Sequence, residues 1–196
     1  MAPSNDFYRE SMIKRLRLRA KTVHDKAERI VETYVNGPKF TDFENEANRI
    51  WLDGFTGGKG FDIACGDFLI GDVVQALGVD GAPKMLGTDY WSEGDDLKWQ
   101  PSNTLDYVVS NYLDGMPAPL KALTEWYRVI KPGGAVAVIS RDAETYASPR
   151  GALENGRRQS CYTQLILKNY LNRAGFLNVN VVRHPKTQSL RGCGTK

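Results

Sequence analysis

From Gly60 onward, short apolar runs alternate with helical patterns, and this alternation constrains the fold more than any other feature of the chain. The predicted strands are residues 61–64, 84–88, 105–110, 135–139, 177–182 and 189–193. The predicted helices are residues 70–77, 119–129 and 162–174, and a turn is predicted over residues 131–134. Strands that alternate with helices form a mostly parallel sheet with helices on both faces. We therefore predict a doubly wound α/β fold, in which the last two strands pair as an antiparallel hairpin.

The segment before Gly60 has a different texture and is predicted to form helices that flank the sheet. Residues 7–34 contain no Gly or Pro and repeat apolar side chains at three- and four-residue steps. A shorter helix is predicted over residues 42–52. A chain of 196 residues has room for one domain with such an appendage. We expect an N-terminal helical lid or flank over residues 1–56 and the sheet domain over residues 57–196.

The composition argues against several classes of protein. No apolar run reaches the ~18 residues that a membrane-spanning helix needs, and the polar N-terminus lacks the apolar centre of a signal peptide. The three cysteines are too few for a disulfide framework and lack the paired spacing of a zinc site. We expect a cytoplasmic protein with no metal site and no membrane association.

An apolar strand that ends in small residues is the candidate ligand-binding feature of the sheet. Ala64, Cys65 and Gly66 follow this strand, and small side chains let a ligand lie against the backbone. Asp62 can accept a hydrogen bond from an ammonium group or organise the turn. Asp89, predicted at the end of the next strand, can accept both hydroxyls of a ribose. These residues together offer a loop for a charged tail and an acid for a sugar.

Six motifs occur in order along the chain: Asp62-Ile63-Ala64-Cys65-Gly66, Gly87-Thr88-Asp89, Gly94-Asp95-Asp96-Leu97 and residues 105–111, 125–134 and 171–176. With these motifs the chain resembles, over residues 59–182, a class I S-adenosylmethionine-dependent methyltransferase of the methyltransferase type 11 kind. The resemblance implies a Rossmann-like fold with S-adenosylmethionine as cofactor. Its methionine part would lie on the first motif, its ribose on Asp89, and its adenine against Asp96 and Leu97.

Further cofactor contacts are expected at Tyr90, which follows the second motif, and at Ser110 and Asn111, which end the fourth motif. Trp91 and Trp99 flank the adenine stretch, where either ring could stack on the base or pack against protein. Little room remains between the second motif and residue 105, so we expect the third strand to be reduced to a loop.

The chain departs from the family pattern after the predicted strand 105–110, which corresponds to the fourth strand of the family. Many relatives carry a Glu-His pair there, whereas this chain has Leu113-Asp114-Gly115. Asp114 is then the nearest candidate for a general base, and Tyr112 is a second candidate. Substrate orientation, packing or a cofactor contact are equal alternatives for Tyr112. Methyl transfer can also proceed by alignment alone, without a base.

The charge of the C-terminal part suggests an anionic acceptor. Residues 126–196 carry twelve basic and three acidic side chains, a net charge of +9. Four arginines of this part fall in the stretch after the predicted strand 135–139, namely Arg141, Arg150, Arg157 and Arg158. Arginine recognises phosphate and carboxylate groups, so an anionic small molecule or nucleotide is the favoured acceptor. Solvated surface charge is the simpler alternative. Few aromatic residues accompany the arginines, which makes nucleic-acid binding weakly supported.

The leading hypothesis is therefore a methyltransferase with an unidentified acceptor. The alternative is a non-catalytic binding or scaffold protein that keeps the fold. A nicotinamide-dependent oxidoreductase fits poorly, because the stretch 64–69 supplies one of the three glycines that a dinucleotide-binding loop requires.

Overall fold

The computed structural model describes residues 51–52, 54–65, 76–81, 89–145, 159–184 and 189–196, which all belong to one compact unit, Glu44–Lys196. The described elements, in chain order, are β1 (Gly60–Ile63), β2 (Ala76–Asp80), β3 (Tyr90–Trp91), β4 (Leu105–Ser110), a 3-10 helix (Leu113–Gly115), α1 (Pro119–Val129), β5 (Ile130–Arg141), α2 (Gln164–Ala174), β6 (Leu177–His184) and β7 (Ser189–Thr195). The N-terminal helices expected over residues 7–34 and 42–52 lie outside the described residues, except that Trp51 and Leu52 are helical. The domain boundary at residue 56 stays a prediction.

The strands form one seven-stranded sheet in the order β3-β2-β1-β4-β5-β7-β6. Neighbouring strands from β3 to β5 are parallel, whereas β7 runs antiparallel to both β5 and β6. The predicted mostly parallel sheet with an antiparallel C-terminal strand is confirmed. The direction of winding reverses between β1 and β4, and such a switch point leaves a crevice at the carboxyl ends of the two strands.

Apolar layers cover both faces of the sheet, as the alternation of side chains along a strand requires. On one face, Val108 of β4 packs in a cluster with Trp126 of α1 and Leu167 of α2, all fully buried. On the other face, Val109 packs in a cluster with Leu52 from the helical residues before β1. Helical residues on both faces agree with the doubly wound arrangement. Neither α1 nor α2 has the length and apolar character that a membrane crossing requires.

The second strand lies at a different place in the chain from the one that the sequence predicts. The predictions were a helix over residues 70–77 and a strand over residues 84–88. The structure instead has β2 at Ala76–Asp80, paired in parallel with β1. The helix prediction is wrong at Ala76 and Leu77, because pairing in the sheet overrides their good helix propensity. Residues 66–75 and 82–88 lie outside the described residues.

Two further irregularities concern short segments. β3 has two residues, which agrees with the expected reduction of this edge of the sheet. The turn predicted over residues 131–134 lies within β5, where the register with β4 shifts between Leu105 and Tyr107. Gly133 has a φ of 83°, which glycine adopts at no steric cost. The prediction of a turn before the strand is wrong, because residues 131–134 belong to β5, where they interrupt its regular pairing with β4.

Candidate functional site

The candidate residues lie along the edge of the sheet where the parallel strands end. Contacts of Gly94, in the turn after β3, show how close these ends are. A Cβ added to Gly94 would lie 2.6 Å from Ile63 Cγ2, at the end of β1, and 2.6 Å from Met116 Cε, after the 3-10 helix. The carbonyl oxygen of Gly94 also accepts a hydrogen bond from Trp126 Nε1 at 2.6 Å. The turn after β3 therefore packs between the ends of β1 and β4.

The end of β1 carries the first candidate residues. Asp62 is buried within the strand, with 1% of its surface exposed. Ala64 has a φ of 56°, in the left-handed region, and its N–H donates to the Val79 carbonyl at 2.7 Å. Left-handed backbone costs a residue with a Cβ roughly 1–2 kcal/mol, so the chain makes a constrained turn as it leaves the sheet. Cys65 is buried directly after this turn, and Gly66 lies outside the described residues.

Asp80, not Asp89, is the acid at the end of the second strand. Asp80 is the last residue of β2, and its carbonyl oxygen accepts from the Ser92 N–H at 3.1 Å. Asp89 precedes β3, where its N–H donates to the Gly78 carbonyl at 2.8 Å and its Oδ2 accepts from the Gly78 N–H at 2.9 Å. The predicted placement of Asp89 is wrong, because β2 comes earlier in the chain. The signal that was missed is the apolar run 76–79, followed by an acid and a glycine.

Tyr90 and Trp99 stack on each other, with ring centroids 4.6 Å apart and an interplanar angle of 25°. Phe61 of β1 lies 6.1 Å from the Tyr90 ring and 5.5 Å from the Trp99 ring. Trp99 also donates from Nε1 to Ser92 Oγ at 3.2 Å. The Trp99 ring thus packs against protein on one side, and its stacking on a base stays a prediction. Trp91 is 74% exposed, and its Nε1 donates to the carbonyl of residue 81 at 2.6 Å.

The stretch expected to meet adenine is attached to α1. The Leu97 N–H donates to Glu125 Oε1 at 3.1 Å, and the Leu97 carbonyl accepts from Arg128 Nη2 at 2.8 Å. The Leu97 amide is thus occupied by a protein carboxylate, and the Leu97 side chain is fully buried. Glu125 and Arg128 are supports that the sequence analysis missed, although both lie inside one of its six motifs. Hydrogen bonds from Arg128 lower the pKa of the Glu125 carboxyl below its ordinary value.

The acids of the same stretch face solvent and surface lysines. Asp96 pairs with Lys98 at 3.4 Å, and 87% of the Lys98 side chain is exposed. Asp95 pairs with Lys121 of α1 at 2.9 Å, and this contact raises the pKa of the Lys121 amine. The Asp96 side chain is 45% exposed, and an exposed ion pair of this kind is weak, so Asp96 stays accessible to a ligand.

The end of β4 contributes a buried serine and two partly accessible residues. Ser110 is fully buried, and its Oγ accepts from the Tyr112 N–H at 3.2 Å. Asn111 and Tyr112 are partly buried. The Tyr112 ring lies so close to Gly115 that any Cβ at Gly115 would overlap it. Glycine at this position therefore sets where the Tyr112 ring packs.

Asp114, the candidate general base, is fully buried in the 3-10 helix. Its Oδ2 accepts from the Arg141 N–H at 3.0 Å, and its carbonyl oxygen accepts from the Gln159 and Ser160 N–H groups at 2.9 and 3.0 Å. Ser160 Oγ lies 2.8 Å from the Tyr162 hydroxyl. Burial raises the pKa of that hydroxyl to about 12, and the charge of Asp114 acts in the same direction. These contacts give Asp114 a structural role, and its role as a base stays a prediction.

Of the four arginines expected in the stretch after the predicted strand 135–139, the described residues include Arg141. It is the last residue of β5, which is longer than predicted, and it is partly buried. The other three lie in the stretch 146–158, outside the described residues. Within the described ranges, no group of three His, Cys, Asp or Glu side chains lies close enough to hold a metal ion.

Comparison with known proteins relates this geometry to a family. Residues 61–138 match a protein family described as a methyltransferase domain. No curated protein matches the sequence.

Several solved structures share the fold. An S-adenosylmethionine-dependent methyltransferase from Archaeoglobus fulgidus is 15% identical, with a TM-score of 0.64 over 85% of this chain and 98% of the other. One from Mesorhizobium loti is 18% identical, with a TM-score of 0.60 over 78% and 97% of the two chains. One from Thermotoga maritima, described as a possible histamine N-methyltransferase, is 19% identical, with a TM-score of 0.57 over 80% and 98%. Residues 61–138 thus match a methyltransferase domain, and the chain shares its fold with S-adenosylmethionine-dependent methyltransferases.

Proposed function

We propose that the chain is an enzyme that transfers a methyl group from S-adenosylmethionine to an acceptor. The observation that carries the proposal is the convergence at one edge of the sheet. The turn after β3 packs between the ends of β1 and β4, at the point where the winding of the sheet reverses. Ligands of open α/β sheets bind at this kind of switch point. A non-catalytic scaffold that keeps the fold would keep this convergence, but it has no need of the acidic and small residues that lie along it, such as Asp62, Ala64 and Asp80.

The residues at this edge fit the cofactor. Small side chains at Ala64 and Cys65, in a turn that leaves the sheet, suit the methionine part. Asp62 is the acid that would accept a hydrogen bond from its ammonium group. Asp80 is placed to accept the ribose hydroxyls, because it ends β2 and is only partly buried. Asp89 suits that role less well, since its carboxylate already accepts from a backbone N–H of β2.

Other parts of the edge complete the proposed binding site. Asp96 is the accessible acid for the adenine, and Asn111 and Tyr112 border the place where the methyl group would point. Bound S-adenosylmethionine supplies an electrophilic methyl group on a sulfonium. The residues of the chain bind the cofactor, exclude water and align the acceptor with that methyl group.

We further propose an anionic small molecule or nucleotide as the acceptor. The positive charge of residues 126–196 supports this choice, as does the position of Arg141 at the end of β5. Nucleic acid is the less favoured acceptor, because few aromatic residues accompany the arginines. A cytoplasmic location is proposed from the cysteines, all three of which are described and none of which forms a disulfide.

Calorimetric titration with S-adenosylmethionine, and separately with S-adenosylhomocysteine, tests the cofactor site. Transfer of a labelled methyl group to a panel of phosphorylated and carboxylated compounds, each beside its neutral analogue, then tests the acceptor class. Binding of both ligands with labelling of an anionic compound supports the proposal. If neither ligand binds, the enzyme proposal is rejected in favour of a scaffold. If only neutral analogues are labelled, the acceptor proposal alone is rejected.

A further inference from the structure

Asp114 contacts both the end of β5 and the residues just before α2. The side chain of Asp114 accepts from the Arg141 N–H at 3.0 Å, where β5 ends. The main-chain oxygen of Asp114 accepts from the Gln159 N–H at 2.9 Å and the Ser160 N–H at 3.0 Å, just before α2. One buried residue therefore bonds to both ends of the connection between β5 and α2.

The two ends of this connection are also bonded to each other. The Tyr162 N–H donates to the Arg141 carbonyl at 3.2 Å, and the Ala143 N–H donates to the Tyr162 carbonyl at 2.8 Å. These bonds form an isolated parallel bridge between Asp142 and Tyr162. Asp114 thus joins the 3-10 helix after β4 to a pair of segments that are already aligned.

A second set of contacts, from β6, holds the residues that follow β5. Asp142 is fully buried and forms an ion pair with Arg183 of β6, and Arg183 also pairs with Glu144. The Glu144 N–H donates to Asp142 Oδ1 at 3.0 Å. The residues after β5 are therefore held from β6 through Arg183 and from the end of β4 through Asp114.

We propose that Asp114 is a positioning residue and not the general base. It fixes residues 142–145, the segment after β5, at the edge of the sheet where the cofactor is proposed to bind. The inference rests on the proposed function, because that edge is where the methyl group would be transferred. A base must touch the proton that it removes. The Asp114 side chain is fully buried and its Oδ2 is already committed to a backbone N–H. Its position in the 3-10 helix that follows β4 suits it to align the segment with the residues at the end of that strand.

Two substitutions separate a positioning role from a basic one. Asp114→Asn keeps an oxygen that can accept from the Arg141 N–H but cannot remove a proton, whereas Asp114→Ala removes the acceptor. We measure amide hydrogen exchange at Arg141, Gln159 and Ser160, together with kcat and KM for methyl transfer. Asp106→Asn, at the other end of β4, is the control and is expected to leave these three amides unchanged.

We expect Asp114→Asn to keep the amide protection and the kcat that Asp114→Ala loses. In Asp114→Asn, protection at Arg141 should be kept and kcat should stay within about threefold of wild type. In Asp114→Ala, exchange at Arg141 should rise about tenfold or more. Its kcat should fall about 10- to 100-fold, as misplacement of a supporting segment does. If the alanine variant does not fold, Asp114→Glu replaces it, because the longer side chain displaces the carboxylate and must also lower this protection.

Two results would overturn the inference. A loss of about 100-fold or more in kcat for Asp114→Asn, with protection intact, would show that Asp114 is the base. Unchanged exchange at Arg141 in the alanine or glutamate variant would show that Asp114 does not hold the segment. Exchange is measured on the protein alone, so it gives an answer even if no methyl transfer is found. Failure of the inference is therefore distinguishable from failure of the proposed function.

Discussion

Glu125 and Arg128 lie one turn apart on α1, and together they hold the chain after β3 by its backbone. Arg128 donates from Nε and Nη2 to the two oxygens of Glu125, at 2.9 and 2.7 Å. The same guanidinium donates to the carbonyls of Leu97, at 2.8 Å, and Gln100, at 3.0 Å. Glu125 in turn accepts from the Leu97 N–H. The ion pair therefore connects α1 to the stretch expected to meet adenine.

Replacing Arg128 by lysine should weaken this connection even though the charge is kept. Lysine presents its donors from one point and cannot reproduce the fork of the guanidinium. We expect Arg128→Lys to lower the free energy of unfolding by about 1–3 kcal/mol, because backbone carbonyls lose their partner. Urea unfolding measures this, with the exposed Arg173→Lys on α2 as the control, for which a change below about 0.5 kcal/mol is expected. Equal effects of the two substitutions would contradict this role of Arg128.

The same ion pair makes stability depend on acid pH. The pKa of Glu125 is lowered in the folded protein, chiefly by its hydrogen bonds from Arg128, so protonation favours the unfolded state. The stabilising contribution is fully present above the ordinary value of 4.5 and is lost as the pH falls through the folded pKa. We expect Glu125→Gln to lower the free energy of unfolding at neutral pH and to flatten its decline below pH 4.5. Urea unfolding across this range measures the slope, and an unchanged slope would contradict the assignment.

Gly94 should tolerate no side chain. A Cβ there would lie 2.6 Å from both Ile63 Cγ2 and Met116 Cε, in a packed part of the edge. We expect Gly94→Ala to destabilise the protein by about 1–3 kcal/mol and to weaken binding of S-adenosylhomocysteine, because the turn must shift. Gly57→Ala is the matched control, since nothing lies within 4 Å of a Cβ at Gly57. Thermal unfolding and calorimetric titration measure the two effects. Binding and stability equal to those of the control would show that the turn can move freely.

A pair of isosteric substitutions can identify which aspartate accepts the ribose hydroxyls of the proposed cofactor. Asp80→Asn removes the charged acceptor at the end of β2, so we expect affinity for S-adenosylhomocysteine to fall about 10- to 100-fold. Asp89→Asn keeps an oxygen for the Gly78 N–H, so its affinity should stay within about threefold of wild type. Calorimetric titration of both variants measures the difference. Loss of affinity in the Asp89 variant with normal affinity in the Asp80 variant would return the role to Asp89.

Tyr162 should titrate later than an ordinary tyrosine. Burial raises the pKa of its hydroxyl from 10.0 to about 12, because the phenolate would be desolvated. The folded pKa is higher than the unfolded one, so this stabilising contribution is present below pH 10 and is lost as the pH rises towards 12. Near pH 12, we expect the wild type to ionise one tyrosine more than Tyr162→Phe does. Ultraviolet titration measures it, and a difference at pH 10 instead would show an unshifted group.

Local patterns in the sequence were sufficient to predict most of the strands and both described helices. α1 and α2 follow the three- and four-residue spacing of their apolar side chains, and α2 ends where it does because Gly175, with a φ of 108°, takes the left-handed position after it. The strands β1, β4, β6 and β7 follow short apolar or alternating runs bounded by turns. These features depend on neighbours in the chain, so they can be read without a structure.

Tertiary structure alone decided the position of β2 and the partners of the polar residues. Ala76 and Leu77 suit a helix locally, and only pairing with β1 makes them a strand, which moves the acid at the strand end from Asp89 to Asp80. The Leu97 backbone meets Glu125 and Arg128, and the Asp114 carboxylate meets the Arg141 N–H, although each pair is more than two dozen residues apart. The sequence by itself determined the match of residues 61–138 to a methyltransferase domain, the strand-and-helix alternation and which residues are acidic or small. Hydrogen bonds between distant segments decided what those residues do, because a polar side chain finds its partner only after the sheet has brought the segments together.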